Sequence, residues 1–316
     1  MSQRSNEQLS MADGLCHRSI GVNEALLRIG ELIDWQAMGV ELEKVHDRSG
    51  GAPSYPALLM FKALLLQQWY QLSDPGLEQA LSDRLSFRRF VGLSLEEGTP
   101  DHSTLWRFRE LLGQSGLQEP LFGEIEEQLQ RHGLLLKRGT LIDATLVQAQ
   151  ARPPKEGKQS NVDPDARFGG NQGSIFGYKA HIGVDEESLL IRRYAFSAAN
   201  VNDTERADEL ICSDEGAVYA DKAYDTHARR ARLRALKIKP RIMHRPNKHH
   251  PQLPQRFRQH NALIAPRRSA VETLFAIFKR HYGYRRVKYF NARRNAVQFA
   301  LLCMVVNLRR MLVLTG

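Results

Sequence analysis

Three carboxylates occupy positions in this sequence where an acidic side chain is costly unless it binds something. Asp143 interrupts the apolar strand pattern of residues 140–147, and Asp221 ends a second apolar run at residues 217–221. Glu272 is the one acid among the final 91 residues, which contain 22 lysines and arginines. Asp is depleted within strands, and a buried carboxylate is unfavourable unless it is paired or bound to a metal ion. These three acids are therefore candidates for catalysis.

Clustered carboxylate oxygens are the ligands that hard divalent cations prefer, and phosphodiester hydrolysis uses two such ions about 3.5–4 Å apart. On a helix, Arg268, Glu272 and Lys279 lie on one stripe, next to an apolar face. That face consists of Val271, Leu274, Phe275 and Phe278. The stripe can hold a metal ion through its carboxylate and a phosphate through its two cations. Lys222, next to Asp221, is a further candidate phosphate contact.

Each acid also has an ordinary structural interpretation. Asp143 would then cap the end of a strand, Asp221 would pair with its neighbour Lys222, and Glu272 would form a surface salt bridge. Any one of these is plausible alone. We favour the catalytic interpretation because all three would have to hold together in a strongly basic chain.

The charge of the chain is distributed unevenly. Its 316 residues are 42% hydrophobic and 25% charged, which is typical of a soluble globular protein, and the net charge is +10. Residues 1–130 have 11 Lys and Arg against 19 Asp and Glu, whereas residues 131–316 have 34 against 16. A positive field of this size attracts a polyanion, and nucleic acid is the usual one.

Other classes of protein are disfavoured by composition. Three cysteines, Cys16, Cys212 and Cys303, are odd in number and far apart, so the sequence predicts neither a disulfide framework nor a cysteine zinc site. The longest apolar run, residues 299–306, is too short to cross a membrane, and the first ten residues are too polar for a signal peptide. We therefore expect a cytoplasmic protein with no membrane partner.

The elements that must position the acids divide the sequence in two. Residues 1–130 are predicted to be helical, with a core helix at 57–72, short helices at 77–82 and 87–91, and Asp74 as a cap. Residues 131–316 are predicted to form strands at 140–147, 178–184, 189–196, 217–221 and 240–244 and helices at 203–211, 226–236, 268–280 and 296–314. Helix 268–280 is expected to follow a basic loop. The fold class is α/β: a mixed sheet flanked by helices, preceded by an all-helical N-terminal domain.

A helix at residues 104–112, capped by residues 99–103, is a candidate for recognising DNA ends. Its apolar spacing predicts that Arg107 and Arg109 are more exposed than the rest, and Ser103 and Thr104 stand at its start. A set of short helices that ends in an arginine-bearing one fits a helix-turn-helix. Three-helix packing without DNA contact fits the same pattern.

Three segments resemble the acidic motifs of DDE transposases of bacterial insertion sequences, and the closest group is the one named after insertion sequence five. They are LIDATLVQA, VYADKAYD and APRRSAVETLFAIFKRHYGYRRVKY, with spacings of 78 and 51 residues between the acids. In the third motif of this superfamily a Tyr precedes Arg, Glu and Lys at offsets −4, 0 and +7 from the Glu. Arg268, Glu272 and Lys279 match this pattern. Ala265 takes the place of the Tyr, whose role is then unfilled or falls to Tyr282 or Tyr284. The resemblance covers roughly residues 50 to 310.

The resemblance implies an RNase H-like catalytic core that binds two Mg²⁺ ions, with Mn²⁺ as a substitute, through Asp143, Asp221 and Glu272. A water would cut the phosphodiester at the transposon end, and the freed 3′-OH would attack target DNA. Arg268 and Lys279 would contact phosphates near the cut. The implied partners are double-stranded DNA, both terminal inverted repeats and target, and at least one further copy of the chain in a synaptic complex. Bound to DNA, the protein would lie in the nucleoid of the bacterial cytoplasm.

Two alternatives use the same sequence features. A nuclease or resolvase would cut with the same carboxylates but without strand transfer. A DNA-binding protein derived from a transposase would have lost catalysis, although such a protein gains nothing from acids placed beside phosphates. A basic RNA-binding protein of ribosomal type predicts no carboxylate cluster at all.

Overall fold

A computed structural model describes residues 22–44, 55–151, 153, 162–246 and 251–316, so Cys16 lies outside the described residues. The chain divides into two compact units. The helical unit comprises Met1–His132 with Ala300–Gly316, and the sheet unit comprises Gly133–Phe299. The division after His132 falls two residues later than the predicted one, and residues 300–316 group with the helical unit rather than with the second domain.

The helical unit is built on one buried helix. Its first seven helices are α1 Glu24–Leu32, α2 Trp35–Glu43, α3 Ala57–Trp69, α4 Asp74–Asp83, α5 Leu85–Val91, α6 His102–Ser115 and α7 Gln118–Arg131. Helix α3 is buried along almost its whole length, as its continuous apolar run predicts. The cap of α4 is Ser73, whose hydroxyl accepts from the Gly76 N–H at 3.1 Å. The prediction that Asp74 is the cap was therefore wrong, and Asp74 lies in the first turn.

The sheet unit contains six strands within its described residues. They are β1 Thr140–Gln148, β2 Arg167–Gly169, β3 Ile175–Asp185, β4 Ile191–Ala198, β5 Ala217–Ala220 and β6 Lys239–Ile242. Strands β1, β3 and β4 pair antiparallel, and β1, β5 and β6 pair parallel, in the order β4-β3-β1-β5-β6. Strand β2 also pairs with β3, and it was missed because it is three residues long within a glycine-rich stretch. This order and these directions are those of an RNase H-like sheet, so the predicted fold class is confirmed.

Helices cover both faces of this sheet. The short helix α8 Asp203–Arg206 and helix α9 His227–Ala235 come between the later strands, and α10 Gln255–His281 and α11 Ala292–Leu314 follow the last one. On the back face, Ile142, Val218 and Ile242 pack into one core with Leu233 of α9. Helix α10 packs across β1, β5 and β6 on the other face, which we call the front face.

Helix α10 is about twice as long as the sequence predicts, because it begins at Gln255 instead of residue 268. The end of the segment expected to be a basic loop therefore forms the first half of the helix. Only Ile264 is buried in that half, so no apolar periodicity marks it, and Pro266 inside a helix is normally a breaker. The apolar face predicted for the second half is confirmed, and its four residues are all buried: Val271, Leu274, Phe275 and Phe278.

Helix α11 is the single helix in the described part of the chain that is long and apolar enough to cross a membrane. Most of that stretch is buried inside the protein, as in the core helix of a soluble protein. Its apolar length was underestimated from sequence because Asn295, Gln298 and Asn307 interrupt the pattern, although all three are buried.

Gly177 is a position of β3 where even one methyl group has no room. A Cβ there would overlap the carbonyl oxygen of Val147 on β1 and lie 2.7 Å from the Ala149 nitrogen. We expect Gly177→Ala to lower the free energy of unfolding by about 1–3 kcal/mol, measured by urea or thermal unfolding. Gly123→Ala is the control, because a Cβ at this position of α7 meets nothing within 4 Å and alanine favours a helix. Equal unfolding midpoints for the two variants would contradict the crowding at Gly177.

Candidate active site

Asp143 lies in the middle of β1 on the front face of the sheet. Leu141, two residues earlier and so on the same face, pairs with Tyr219 of β5, and Arg267 of α10 donates to the Tyr219 hydroxyl at 2.9 Å. The Asp143 carboxylate is largely buried and accepts a hydrogen bond from the Ala144 N–H at 2.9 Å. Burial raises the pKa of Asp143 from 3.8 to about 6. The sequence prediction of a costly carboxylate within a strand is therefore confirmed.

Arg268 joins two of the three predicted acids. Its Nη1 lies 3.3 Å from Asp143 Oδ2, and its Nη2 forms an ion pair with the carboxylate of Glu272, one helical turn along α10. The two acids are 129 residues apart in the sequence, yet one guanidinium spans them. The Glu272 side chain is 56% exposed, so a ligand from solvent can reach it.

Asp221 follows the last residue of β5, next to β1. The two strands pair with an offset of 78 residues, for example at Leu141 and Tyr219. The same offset separates Asp143 from Asp221, so the two acids are level on neighbouring parallel strands, which are spaced about 4.8 Å apart. The Asp221 carboxylate accepts from the Lys222 N–H at 2.6 Å and begins a short 3-10 turn.

The three acids are not drawn together as a preformed cage. Among the described residues, the one group with three potential ligand atoms within 4.8 Å of one another is Cys212, Asp214 and Glu215. Asp214 pairs with Lys137 at 2.7 Å and with Arg192 at 2.8 Å, so its charge is already neutralised. That group is a poor cation site for this reason.

A further acid close to the site was missed from sequence. Asp203, the first residue of α8, forms an ion pair with Lys179 of β3 at 2.6 Å. Its negative charge adds to the effect of burial in raising the pKa of Asp143 and of Tyr224, a residue of the turn after Asp221. Asp203 stands at the start of a predicted helix, where an acid is ordinary, so nothing in the sequence marked it out.

The predicted phosphate contacts differ in accessibility. Lys279 is half-buried on α10, and burial, with the nearby charge of Arg285, lowers its pKa. Lys222 is exposed on the turn that follows Asp221. Both lie in the sheet unit with the three acids and Arg268.

Neither tyrosine named as a substitute stands near the position of Ala265. Tyr282 and Tyr284 come after the end of α10, and a helix rises about 1.5 Å per residue, so about 25 Å of helix separates them from Ala265. Both are buried, and the ring of Tyr284 stacks on Phe299 with 5.7 Å between centroids. Of the two possibilities left open by the sequence, the structure therefore favours the one in which the role of the tyrosine is unfilled.

The residues predicted to read DNA ends lie on α6 in the helical unit. Asp101 caps this helix by accepting from the Thr104 N–H at 2.6 Å, and Ser103 and Thr104 are half-buried in its first turn. Arg107 is exposed, as predicted. Arg109 is only 2% exposed, so the prediction that it faces solvent was wrong.

The burial of Arg109 has an electrostatic reason. Its guanidinium pairs with Asp74 at 2.5 Å and donates to the Gln67 side-chain oxygen at 3.0 Å, and the Gln67 amide donates to the same Asp74 carboxylate at 2.5 Å. A charged side chain can be buried when its charge and hydrogen bonds are satisfied in this way. Arg109 therefore cannot serve as a DNA contact while this network is intact.

An RNase H-like sheet with acids level on its two central parallel strands, and a third acid from the helix packed against them, defines an enzyme that acts on nucleic acid. The comparisons with known proteins agree with this class. Residues 16–111 match the family model "Transposase domain (DUF772)", and residues 135–308 match the family model "Transposase DDE domain".

The second match covers more than half of the chain, so the chain belongs to the family of transposases with a DDE domain. It is a DNA transposase, and DNA is its partner. The insertion-sequence-five group suggested by the motifs is compatible with both matches.

A solved structure is also similar to this chain. It is the "Cryo-EM structure of piggyBac transposase synaptic complex with hairpin DNA (SNHP)", with a TM-score of 0.47 and 9% sequence identity. The similarity covers 95% of this chain and 78% of that one. The fold assignment rests on the strand order of the sheet and not on this similarity.

Proposed function

We propose that Asp143, Asp221 and Glu272 bind two Mg²⁺ ions, with Mn²⁺ as a substitute, and that this site cuts DNA at the transposon ends. A water attacks the phosphodiester, the bond to the 3′ oxygen breaks, and a free 3′-OH results. That 3′-OH then attacks a phosphodiester of target DNA, so one bond forms as another breaks and no covalent enzyme intermediate is needed. The observation that carries the proposal is the single guanidinium of Arg268 spanning Asp143 and Glu272.

The residues present fit a pair of hard divalent cations. All three donors are carboxylates, and oxygen is the ligand type that Mg²⁺ prefers. Arg268 already places one positive charge between Asp143 and Glu272, so these two carboxylates are close enough to share a cation. When bound, the ions would supply an activated water and stabilise the charge that develops on the leaving oxygen.

The other residues of the site act on the DNA backbone. We propose that Arg268 and Lys279 bind phosphates on either side of the cut, and that exposed Lys222 binds a third. Asp143 has a pKa of about 6 and is mostly ionised at pH 7 to 8, so it is available as a ligand under ordinary conditions. Contact between Arg268 and a phosphate would release the two carboxylates that it now bridges.

Recognition of the transposon ends is assigned to helix α6. We propose that the exposed Arg107, with Ser103 and Thr104 in the first turn, contacts the end duplex. Arg109 is left out of this assignment because Asp74 and Gln67 already occupy its guanidinium.

We further propose that the chain acts as a dimer or a larger assembly on DNA, because transposition requires that both ends be held together. The place of action would be the bacterial cytoplasm, at the nucleoid. Both described cysteines, Cys212 and Cys303, are free thiols, which suits a reducing compartment.

Cleavage of a labelled duplex that carries the flanking ends of the element tests this proposal. With Mg²⁺ or Mn²⁺ we expect cuts at the repeat boundary that disappear in EDTA. Glu272→Gln should lower the rate by about 10³-fold or more, about 4 kcal/mol of transition-state stabilisation. Glu209→Gln, which neutralises an exposed acid paired with Arg206, is the matched control and should cut at the rate of the wild type.

Three outcomes would contradict parts of the proposal. Binding without cleavage by the wild type would favour a DNA-binding protein derived from a transposase. Cleavage without joining of the 3′ end to a second duplex would favour a nuclease or resolvase. Cleavage that survives Glu272→Gln would remove Glu272 from the site.

A further inference from the structure

The edge strand β6 carries a row of cations that the proposed catalytic step does not use. Lys239 and Arg241 of β6, with Lys237 just before it and Arg245 just after it, are all exposed. We call these four residues the β6 strip. None of the four has an ion-pair partner among the residues that the structure describes.

The acids nearest to the β6 strip are already paired elsewhere. Asp225 pairs with Arg230 at 2.6 Å, and Glu186 pairs with Arg267 at 2.6 Å. The positive charge of the strip is therefore not cancelled by its surroundings. Four uncompensated cations along one edge repel one another, and an anion bound between them would relieve that repulsion.

The register of the sheet places the strip on the same face as the candidate active site. Arg241 pairs with Tyr219 of β5, and Tyr219 pairs with Leu141 of β1, so their side chains share the front face with Asp143. Two strand spacings, about 10 Å, separate β6 from β1. A duplex whose backbone is cut at Asp143 is therefore wide enough to reach the strip.

The end of β6 is held firmly against α10. The His244 N–H donates to the side-chain oxygen of Asn261 at 2.8 Å, and the Asn261 amide donates back to the His244 carbonyl at 3.1 Å. The His244 ring also stacks on Phe257, with 4.0 Å between ring centroids. These contacts fix the strip relative to the helix that carries Arg268 and Glu272, so both can bind one rigid duplex.

We propose that the β6 strip binds the phosphate backbone of a DNA duplex that passes along the front side of the sheet unit. The inference rests on the proposed function, because the duplex in question is one that the carboxylates process. The strip consists of lysines and arginines on a strand edge, so it would contact phosphates and read no base sequence. The same chemistry serves a transposon end or a target duplex.

Charges and proline on an edge strand also prevent pairing with another chain, and β6 has Pro240 between Lys239 and Arg241. Protection of the edge needs no DNA. The two explanations make different predictions about salt, because each phosphate neutralised by a cation releases condensed counterions.

Affinity for DNA at several salt concentrations tests the proposal. The variant is Lys239→Gln/Arg241→Gln, and the matched control is Arg138→Gln/Arg232→Gln, which also removes two positive charges from exposed positions of the sheet unit. Binding is measured in EDTA, without cleavage, on a duplex with the transposon end and on an unrelated duplex. We expect the variant to bind about tenfold more weakly near 0.15 M salt, and the slope of log affinity against log salt to fall by about 1–2.

The outcomes separate the two sources of DNA and the competing explanation. A loss confined to the transposon-end duplex assigns the strip to the end, a loss confined to the unrelated duplex assigns it to target DNA, and a loss on both shows a shared path. An affinity and a salt slope equal to those of the control on both duplexes would overturn the proposal, and the strip would then serve only to protect the edge. Because binding is measured without metal, failure of the cleavage proposal would leave this result unaffected.

Discussion

Replacing Asp143 by asparagine is expected to abolish strand cleavage and, without divalent cations, to make the protein more stable than the wild type. The two effects have one cause. The Asp143 carboxylate is held in a largely buried position of β1 that favours its neutral form, and its pKa is raised to about 6. A ligand kept in this way gains its favourable partner when a metal ion binds, and asparagine cannot provide the charge.

The sign of the stability effect follows from proton linkage. The folded protein binds a proton at Asp143 more tightly than the unfolded chain does, so stability is lost as the pH rises from about 4 to about 6. A pKa change of this size corresponds to at most about 3 kcal/mol. The asparagine side chain would resemble the protonated carboxyl. We therefore expect Asp143→Asn to be about 1–3 kcal/mol more stable than the wild type at pH 8 and nearly equal to it at pH 4.

Thermal unfolding in EDTA at pH 4, 6 and 8 measures this effect, and added Mg²⁺ provides a second readout. Mg²⁺ should raise the unfolding temperature of the wild type more than that of Asp143→Asn, because a ligand stabilises the state that binds it. Glu187→Gln is a suitable control, since Glu187 is exposed and pairs with the equally exposed Arg138 outside the candidate active site. If Asp143→Asn were less stable than the wild type at pH 8, the ion pair with Arg268 would outweigh the cost of burying the carboxylate.

The acids were predictable because each one broke a local pattern. An Asp within an apolar strand and a lone Glu on a basic helix conflict with their surroundings, and such conflicts are expected at functional sites. The register that sets Asp143 level with Asp221 also has a trace in the sequence, since the 78-residue spacing equals the pairing offset. Nothing in the sequence alone, however, says that β1 and β5 are neighbours.

The failures have physical reasons as well. The first half of α10 buries only Ile264, so the apolar periodicity from which helices are predicted is absent. Asp203 escaped notice because an acid at the start of a helix has an ordinary local explanation. The β6 strip depends on which strand lies at the edge, and that is a property of the sheet order and not of the segment itself.

Arg109 shows why helical spacing alone did not predict exposure. On α6 the apolar residues Leu105, Phe108 and Leu112 define a buried face, and Arg109 lies beside Phe108 and Leu112 on that face. The spacing was correctly detected, but a charged residue was assumed to point away from it. The partner that permits burial, Asp74, is 35 residues away and belongs to α4.

Loss of the Arg109 side chain is expected to destabilise the helical unit more than any other single change considered above. In Arg109→Met the side-chain volume is roughly kept, but Asp74 loses its cation and Gln67 loses a hydrogen-bond donor. Removing one partner of a buried ion pair costs about 3–5 kcal/mol, because the other charge is left uncompensated. Unfolding by urea, followed by circular dichroism at the helical signal, measures the loss.

A second substitution separates the ion pair from simple packing. If the cost comes from the stranded carboxylate, Arg109→Met/Asp74→Asn should recover about 1–2 kcal/mol relative to Arg109→Met alone, because the buried charge is gone. If the cost comes from lost packing, the second change should add a further loss. Arg107→Met is the matched control on the same helix, and as an exposed position it should shift stability by no more than about 0.5 kcal/mol. A loss in Arg109→Met no larger than that of this control would mean that the network with Asp74 contributes nothing to folding, and Arg109 would then be free to leave it for DNA.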